Sequence, residues 1–345
     1  MRKILTFFVF IMLCNYGFAQ EKQRIKRSKV DTSKSVWKKG LQFSSFAGQA
    51  GSKNWASGSD LFSLSINGFV SAFANRIKGR WYFNNSLSAS YGLINSDEFV
   101  TIKNDDKIDL FSTLGANLKK HPKFGLGAAF NFRSQFSNGY NRNYLNQGMK
   151  RRTSGFFAPA YITLAPIGVN YHHKGLDIYV APIAFRGVIV SNNSYSYAFQ
   201  GGVIPAELIN EKNPATNEKS VAEMYGVDPE KTISYQVGPY ISIAYNKEII
   251  KNVTYSGRVD MLSDFNHGSP ENIDFFWSNS FLLKVNSWLN AVYSIDLAYD
   301  DDIKKFGYQK NNAALQTKSI LGLGVSANLG DKAHRKNHKK RVYFN

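Results

Sequence analysis

Alternation dominates this chain. In GRWYFNNSLSASYGL, Trp81, Phe83, Leu87, Ala89, Tyr91 and Leu93 share one parity, and Tyr82, Asn84, Ser86, Ser88, Ser90 and Gly92 share the other. In DDKIDLFSTLGANLKK, Ile108, Leu110, Leu114, Ala116 and Leu118 oppose Lys107, Asp109, Thr113 and Asn117. FGLGAAFNFRSQF sets Phe124, Leu126, Ala128, Phe130 and Phe132 against Gly125, Gly127, Asn131 and Arg133. TISYQVGPYISIAYN repeats it with Ile233, Tyr235, Val237, Ile241, Ile243 and Tyr245. A helix turns every 3.6 residues and cannot hold every second residue on one face, so these segments are strands.

The pattern predicts about twelve strands, near 38–48, 60–74, 79–94, 106–119, 123–137, 155–171, 175–190, 232–246, 252–264, 272–285, 288–299 and 314–329. Many exceed the usual globular strand of about 5–6 residues. A tilted strand that crosses a bilayer needs about 9–11. Short links (NRIKG, KKHPK, HHKG, NKEIIKN, VNSW) alternate with longer ones at 49–59, 95–105, 138–154, 191–231, 265–271 and 300–313. An even strand count with one short-turned end and one long-looped end predicts an all-β, antiparallel transmembrane barrel of the Gram-negative outer membrane. Aromatic residues make up 14% of the chain, and Trp81, Trp277 and Trp288 suit interfacial girdles. A soluble two-sheet protein would alternate too, without a reason to segregate its loops.

The first residues, MRKILTFFVFIMLCNYGFAQ, read as a secretory signal: basic Arg2 and Lys3, an apolar Ile4–Leu13 centre, and a small-residue cleavage site ending at Ala19. The one cysteine, Cys14, falls inside it, and Leu13 is large for a lipoprotein site. A chain cut after Ala19 has no cysteine for disulfides, thiol catalysis or cysteine-ligated zinc. The expected organisation is signal 1–19, basic periplasmic segment 20–37, barrel 38–329 and basic periplasmic tail 330–345. Long loops then face outside the cell, and both termini face the periplasm.

The net charge of +18 changes meaning once it is located. The signal carries +2, residues 20–39 carry +6 and residues 331–345 carry +5, which leaves only +5 for the body. No nucleic-acid interface is therefore expected. Basic tails of this kind are usually solvated, or they touch an anionic surface such as lipid headgroups. The partners expected are outer-membrane lipids, the outer-membrane assembly machinery, and a periplasmic or surface protein reached through the tails or loop 191–231.

If the apolar parity faces lipid, the polar parity faces the lumen. That assigns Lys107, Asp109, Arg133, Gln236, Arg258, Asp260, Asp296, Gln316 and Lys318 to the interior. Charges of both signs suit a salt-bridged plug or strut as readily as a solute path, because unpaired charge there is costly to desolvate. The six histidines (His121, His172, His173, His267, His334, His338) fall in turns, an outer loop or the tail. No serine has a positioned base beside it, so no catalytic residue, cofactor or metal is assigned, and the chain is read as a non-enzyme. The pair His172-His173 suits a solvated turn better than a metal site. Asp300-Asp301-Asp302 with Asp296, and Asp105-Asp106 on another loop edge, offer carboxylates for calcium but lack the spacing of a calcium loop. Loop 191–231 exceeds a mere connection, and its NPATNEKSVAEMYG suits a short helix.

The stretch GQAGSKNWASGSDLFSLS contains Gln49, then Asn54-Trp55-Ala56 and Gly58, then an alternating strand. KNDDKIDL, FRSQFSNGY, FFAPAYITLAPIGVNYHHKGLDIYVAP, NKEIIKNVTYSGRVDMLSDFNHGSPENID, KVNSWLNAVYSIDLAYDDDI and QTKSILGLGVSANL follow. On these segments the chain resembles a family of outer-membrane barrels, domain of unknown function 3078, across most of 38–329. The resemblance implies the fold and the location; the family has no agreed activity, substrate or catalytic residues. Its members stop at an aromatic final residue, whereas here the last strand ends at Asn328-Leu329 and a basic tail closes with Tyr343-Phe344. The 48–59 loop lacks the Gly-Lys-Ser/Thr ending of a phosphate loop. Trp55 is either an interfacial anchor or folded inward at the barrel mouth. The function expected is a binding or transport barrel for small solutes or amphiphiles. A non-conducting structural or partner-recruiting barrel is the alternative, and a membrane-embedded lipid enzyme is disfavoured.

Overall fold

The computed structural model describes residues 36–51, 62–96, 101–144, 149–191, 221–228, 230–266, 273–286, 288–303 and 312–330. The signal segment, residues 20–35 and 331–345 of the basic tails, and the Asn54, Trp55 and Gly58 positions lie outside the described residues, whereas Val36 and Trp37 of the expected N-terminal segment belong to a strand. Twelve strands close into one antiparallel ring. They are β1 (Val36–Gly51), β2 (Phe62–Lys78), β3 (Trp81–Ser96), β4 (Ile102–Asn117), β5 (Phe124–Ser134), β8 (Ala160–His173), β9 (Leu176–Ile189), β10 (Ile233–Ile250), β11 (Val253–Ser263), β12 (Ile273–Lys284), β13 (Leu289–Tyr299) and β14 (Gln316–Gly330). Each pairs with its neighbour in the chain, and β1 pairs with β14 to close the ring. Two further strands, β6 (Gly139–Tyr144) and β7 (Met149–Ser154), form a separate hairpin between β5 and β8.

All twelve predicted strands are present, and the hairpin is an addition. The 138–154 stretch had been expected as a plain loop. At the other end of the barrel the turns are tight: Lys174-Gly175 and Lys251-Asn252 each need left-handed backbone, at φ 49°, 91° and 66° for Lys174, Gly175 and Asn252. The expected NKEIIKN link shrinks to this turn, because β10 keeps pairing with β11 through Ile250. In loop 191–231 the described part contains one 3-10 turn, Glu223–Tyr225, where a short helix had been expected.

The sheet is apolar outside and polar inside, the reverse of a soluble core. Ile167 and Leu321 are 70% and 75% exposed, and Leu114, Leu126, Ile183 and Phe185 share that outer face. Buried instead are Asp105, Asp109, Asn131, Gln236, Ser242 and Asp260. Strands of 11 to 18 residues, at about 3.3 Å per residue and a tilt near 40°, span an apolar band of ~25 Å or more. Exposed Trp37, Trp81 and Trp288 mark the short-turn end. Trp277 sits four residues inside β12, not at a strand end as expected.

Glycines admit close approach where the wall bends. The β10 register slips between Gly238 and Tyr240, and a Cβ on Gly238 would lie 1.8 Å from the Ser263 carbonyl oxygen. Beside this bulge Ala129, Ala165, Tyr179, Ala181, Ala184, Tyr240 and Leu262 form a small buried apolar cluster.

Candidate functional site: an ion-pair belt and the vestibule beside it

The period of two places three charged residues of β4 on the inner face, Asp105, Lys107 and Asp109. β11 contributes Arg258 and Asp260 by the same rule, β5 Arg133, β13 Asp296 and β14 Lys318. All lie in the half of the barrel nearer the long loops. Arg258 Nη2 donates to both oxygens of Asp109 and its Nε to Asp260, at 2.9 Å. Arg133 bridges the same two carboxylates: Nη2 lies 3.1 Å from Asp109 Oδ2 and 2.9 Å from Asp260 Oδ2. Asn131 Nδ2 also donates to Asp109 Oδ1, at 2.9 Å, and Tyr240 OH donates to Asp260 Oδ1, at 2.8 Å. Lys107 Nζ lies 3.0 Å from Asp296 Oδ2 and 3.0 Å from Ser278 Oγ. Lys318 bonds Asp105 at 2.5 Å and lies 3.1 Å from Asp296.

These contacts join strands that are not neighbours. β4 and β11 are five places apart in the ring of twelve, as are β4 and β13. Four carboxylates (Asp105, Asp109, Asp260, Asp296) thus meet four cations (Lys107, Arg133, Arg258, Lys318) across the interior. The belt is neutral and hydrogen-bonded, the condition under which buried charge is tolerated. Two rings complete it: Arg133 lies 3.7 Å from the Phe276 ring centroid and Arg258 4.8 Å from that of Phe111, within cation–π range.

Eight of the nine sequence-predicted interior residues make such polar contacts. Gln236 does so in a second cluster nearer the rim: Arg186 Nη1 donates to Gln236 Oε1 (3.2 Å) and to Asp274 Oδ2 (2.9 Å). Gln236 Nε2 reaches Asp302 Oδ2 at 3.0 Å. Gln316 lines the cavity described next. Gln49 lies in β1 and pairs in register with Leu64. Sequence reasoning missed Arg186, Asp274, Phe276 and Tyr240. Arg186 was discoverable, since in PIAFRGV it shares its parity with Ala184 and not with outward Ile183 and Phe185. Asp105 and Asp106, expected on a loop edge, lie within β4. Asp105 is taken by Lys318. Asp106 accepts from the Phe136 and Ser137 amides at 2.7 and 2.9 Å and pairs with Lys103, so it ties down the loop leaving β5.

Between belt and rim lies a cavity of about 420 Å³. Lys107, Arg133, Asp260 and Asp296 form its polar floor, and Tyr161, Tyr225 and Phe275 supply aromatic wall. The described part of loop 191–231 helps to shape it: Val221, Ala222 and Val227 are buried against Ala158, Val188 and Val190, and Tyr225 OH donates to the Thr153 carbonyl at 3.3 Å. Asp300, in the turn after β13, also faces the cavity. Burial, reinforced by the charge of Asp274, holds its carboxyl well above the usual carboxylate range. Among the described residues, His121, His172 and His173 are absent from this wall; His172, exposed at the short-turn end, bonds Asp177.

A family profile described as "Protein of unknown function (DUF3078)" matches residues 47–140, from the end of β1 to the start of β6. It bears out the resemblance over that segment. No curated protein matches the chain. Among solved structures, the NanC porin is similar at 9% identity and a TM-score of 0.32, over 82% of this chain and 98% of that one. An outer-membrane channel from Pseudomonas putida F1 is similar at 9% identity and 0.34, over 89% and 100%. Outer-membrane phospholipase A from Escherichia coli is similar at 9% and 0.28, over 83% and 89%. The closed ring of paired strands carries the fold assignment; these scores do not.

Proposed function

We propose that this chain is an integral outer-membrane barrel which binds small solutes or amphiphiles in its long-loop vestibule, and whose passage to the periplasm is closed by the ion-pair belt. The termini then face the periplasm, a reading supported by the tight turns at that end. The observation that carries this reading is the Arg258–Asp109 and Arg133–Asp260 lattice, which links opposite walls directly beneath a cavity of ligand size. Its mixed lining of tyrosines, Phe275 and charges of both signs suits a ligand with an apolar body and a polar group. The reading requires no catalytic group and makes the protein a binding or transport barrel, not an enzyme.

Planar-bilayer recording of the purified protein tests the closure. The wild type should show little conductance, and the double variant Arg258→Ala/Lys107→Ala should show discrete open steps. A wide, steady pore in the wild type overturns the closed belt. A folded double variant that stays silent overturns the path and favours the structural barrel, in which the same ion-paired network acts only as a strut.

A further inference from the structure

In the rim cluster, as at Asp105 Oδ2 in the belt, one buried carboxylate oxygen is left without a hydrogen-bond partner. Asp274, at the outer start of β12, is 4% exposed. Its Oδ2 accepts from Arg186 and Gln236, at 2.9 and 3.3 Å, while its Oδ1 is buried with no hydrogen-bond partner. A buried carboxylate oxygen left in that state is costly. Asp300 and Asp301 approach from the turn after β13, and one carboxylate oxygen from each of the three residues lies within 4.8 Å of the others.

The turn is well fixed. The Asp302 amide donates to Asp300 Oδ1 at 3.0 Å, and the Ile303 amide to the Asp300 carbonyl at 3.2 Å. Gln236 holds Asp302 on one side. On the other, a Cβ on Gly226 would lie 2.6 Å from Asp302 Cβ, so the described part of loop 191–231 packs directly on the acidic turn. Asp274 and Asp300 both line the vestibule, which gives an ion a way in.

We propose that Asp274, Asp300 and Asp301 bind one hard divalent cation, of the calcium class, at the outer rim of the barrel. Three carboxylates with no nitrogen or sulfur among them select a hard ion, and calcium accepts an irregular oxygen shell completed by water more readily than magnesium does. The cation supplies the partner that Asp274 Oδ1 lacks. Arg186 bonds the other oxygen, Oδ2, at 2.9 Å. Bound there, the ion ties β12 to the β13 turn, and through Gly226 and Asp302 to the loop above the vestibule. The site is independent of whether the belt opens.

The test is calorimetric titration of calcium chloride into the purified full-length protein in detergent, after treatment with EDTA and removal of the chelator. The wild type should bind one calcium per barrel, more tightly than magnesium, and its melting temperature should rise with added calcium. Asp300→Asn and Asp274→Asn should each weaken binding at least tenfold and abolish the rise. Asp228→Asn, at an exposed carboxylate paired with Lys231, should change neither. Retained heat-modifiable gel migration establishes that each variant is folded. Absence of calcium binding in the wild type overturns the site. So does unchanged affinity in a folded Asp300→Asn variant. Equal affinity for magnesium overturns the assignment to calcium.

Discussion

Arg258 of β11 and Asp109 of β4 stand five strands apart in the ring, yet the guanidinium Nη2 reaches Asp109 Oδ2 at 2.6 Å. A single side chain from each wall therefore spans the interior, and Asp109 also holds Arg133 and Asn131. Such a residue is a keystone for two cations at once.

Asp109→Asn should consequently cost more than a single hydrogen bond. It leaves Arg133 and Arg258 sharing Asp260 alone, with one uncompensated buried charge. Breaking a buried pair from one side costs about 3–5 kcal/mol. Guanidinium unfolding in phospholipid vesicles, followed by tryptophan fluorescence, should show a loss of that size. A change below about 1 kcal/mol would mean that water already solvates the belt.

The outer face makes a second, depth-dependent prediction. Ile183 is the eighth of fourteen residues in β9 and is 50% exposed. Tyr235, the third residue of β10, is 64% exposed near the rim. Arginine at a bilayer midplane costs roughly 2–4 kcal/mol and near the interface about 0–1. Ile183→Arg should therefore destabilise the barrel in vesicles far more than Tyr235→Arg. Equal effects would argue against a membrane around this face.

Much of this is legible in the amino-acid sequence, and the reason is the period of two. Parity alone places Lys107, Asp109, Arg258 and Asp260 inside, because a strand reveals its faces residue by residue. What parity cannot reveal is who meets whom. Lys107 and Asp296 are 189 residues apart and touch only because the ring closes with β14 on β1. Strand count and stagger fix that meeting, and neither is written in a local pattern. Asp274 escaped for a related reason: it lies at a strand's first turn, where alternation has barely begun. The β6–β7 hairpin escaped because GYNRNY and MKRRTS lack an apolar parity.

Bulges make a third prediction. At Gly238 a Cβ would meet the Ser263 carbonyl oxygen at 1.8 Å, and backbone cannot swing aside as a side-chain tip can. At Gly68 the nearest atom would be 3.9 Å away, an ordinary contact. Gly238→Ala should lower the yield of folded, heat-modifiable protein, whereas Gly68→Ala should leave it unchanged. Tolerance of alanine at both positions would show that β9, β10 and β11 can re-register around the bulge.

The belt also predicts a ranking. Asp296 accepts from Lys107, but Lys318 lies 3.1 Å away and Ser278 Oγ donates at 2.7 Å. Removing Lys107 therefore leaves Asp296 with one cation and one hydroxyl, whereas removing Asp109 strips both Arg133 and Arg258 of their shared partner. Lys107→Met should cost distinctly less than Asp109→Asn, on the order of 1–3 kcal/mol for the lost charge-assisted hydrogen bonds. Adding Lys318→Met should then cost more than the two single losses combined, because only the double variant leaves Asp296 without a cation. The unfolding free energies of the two single variants and the double variant check this directly. Simple additivity would mean that Lys107 and Lys318 do not substitute for one another at Asp296.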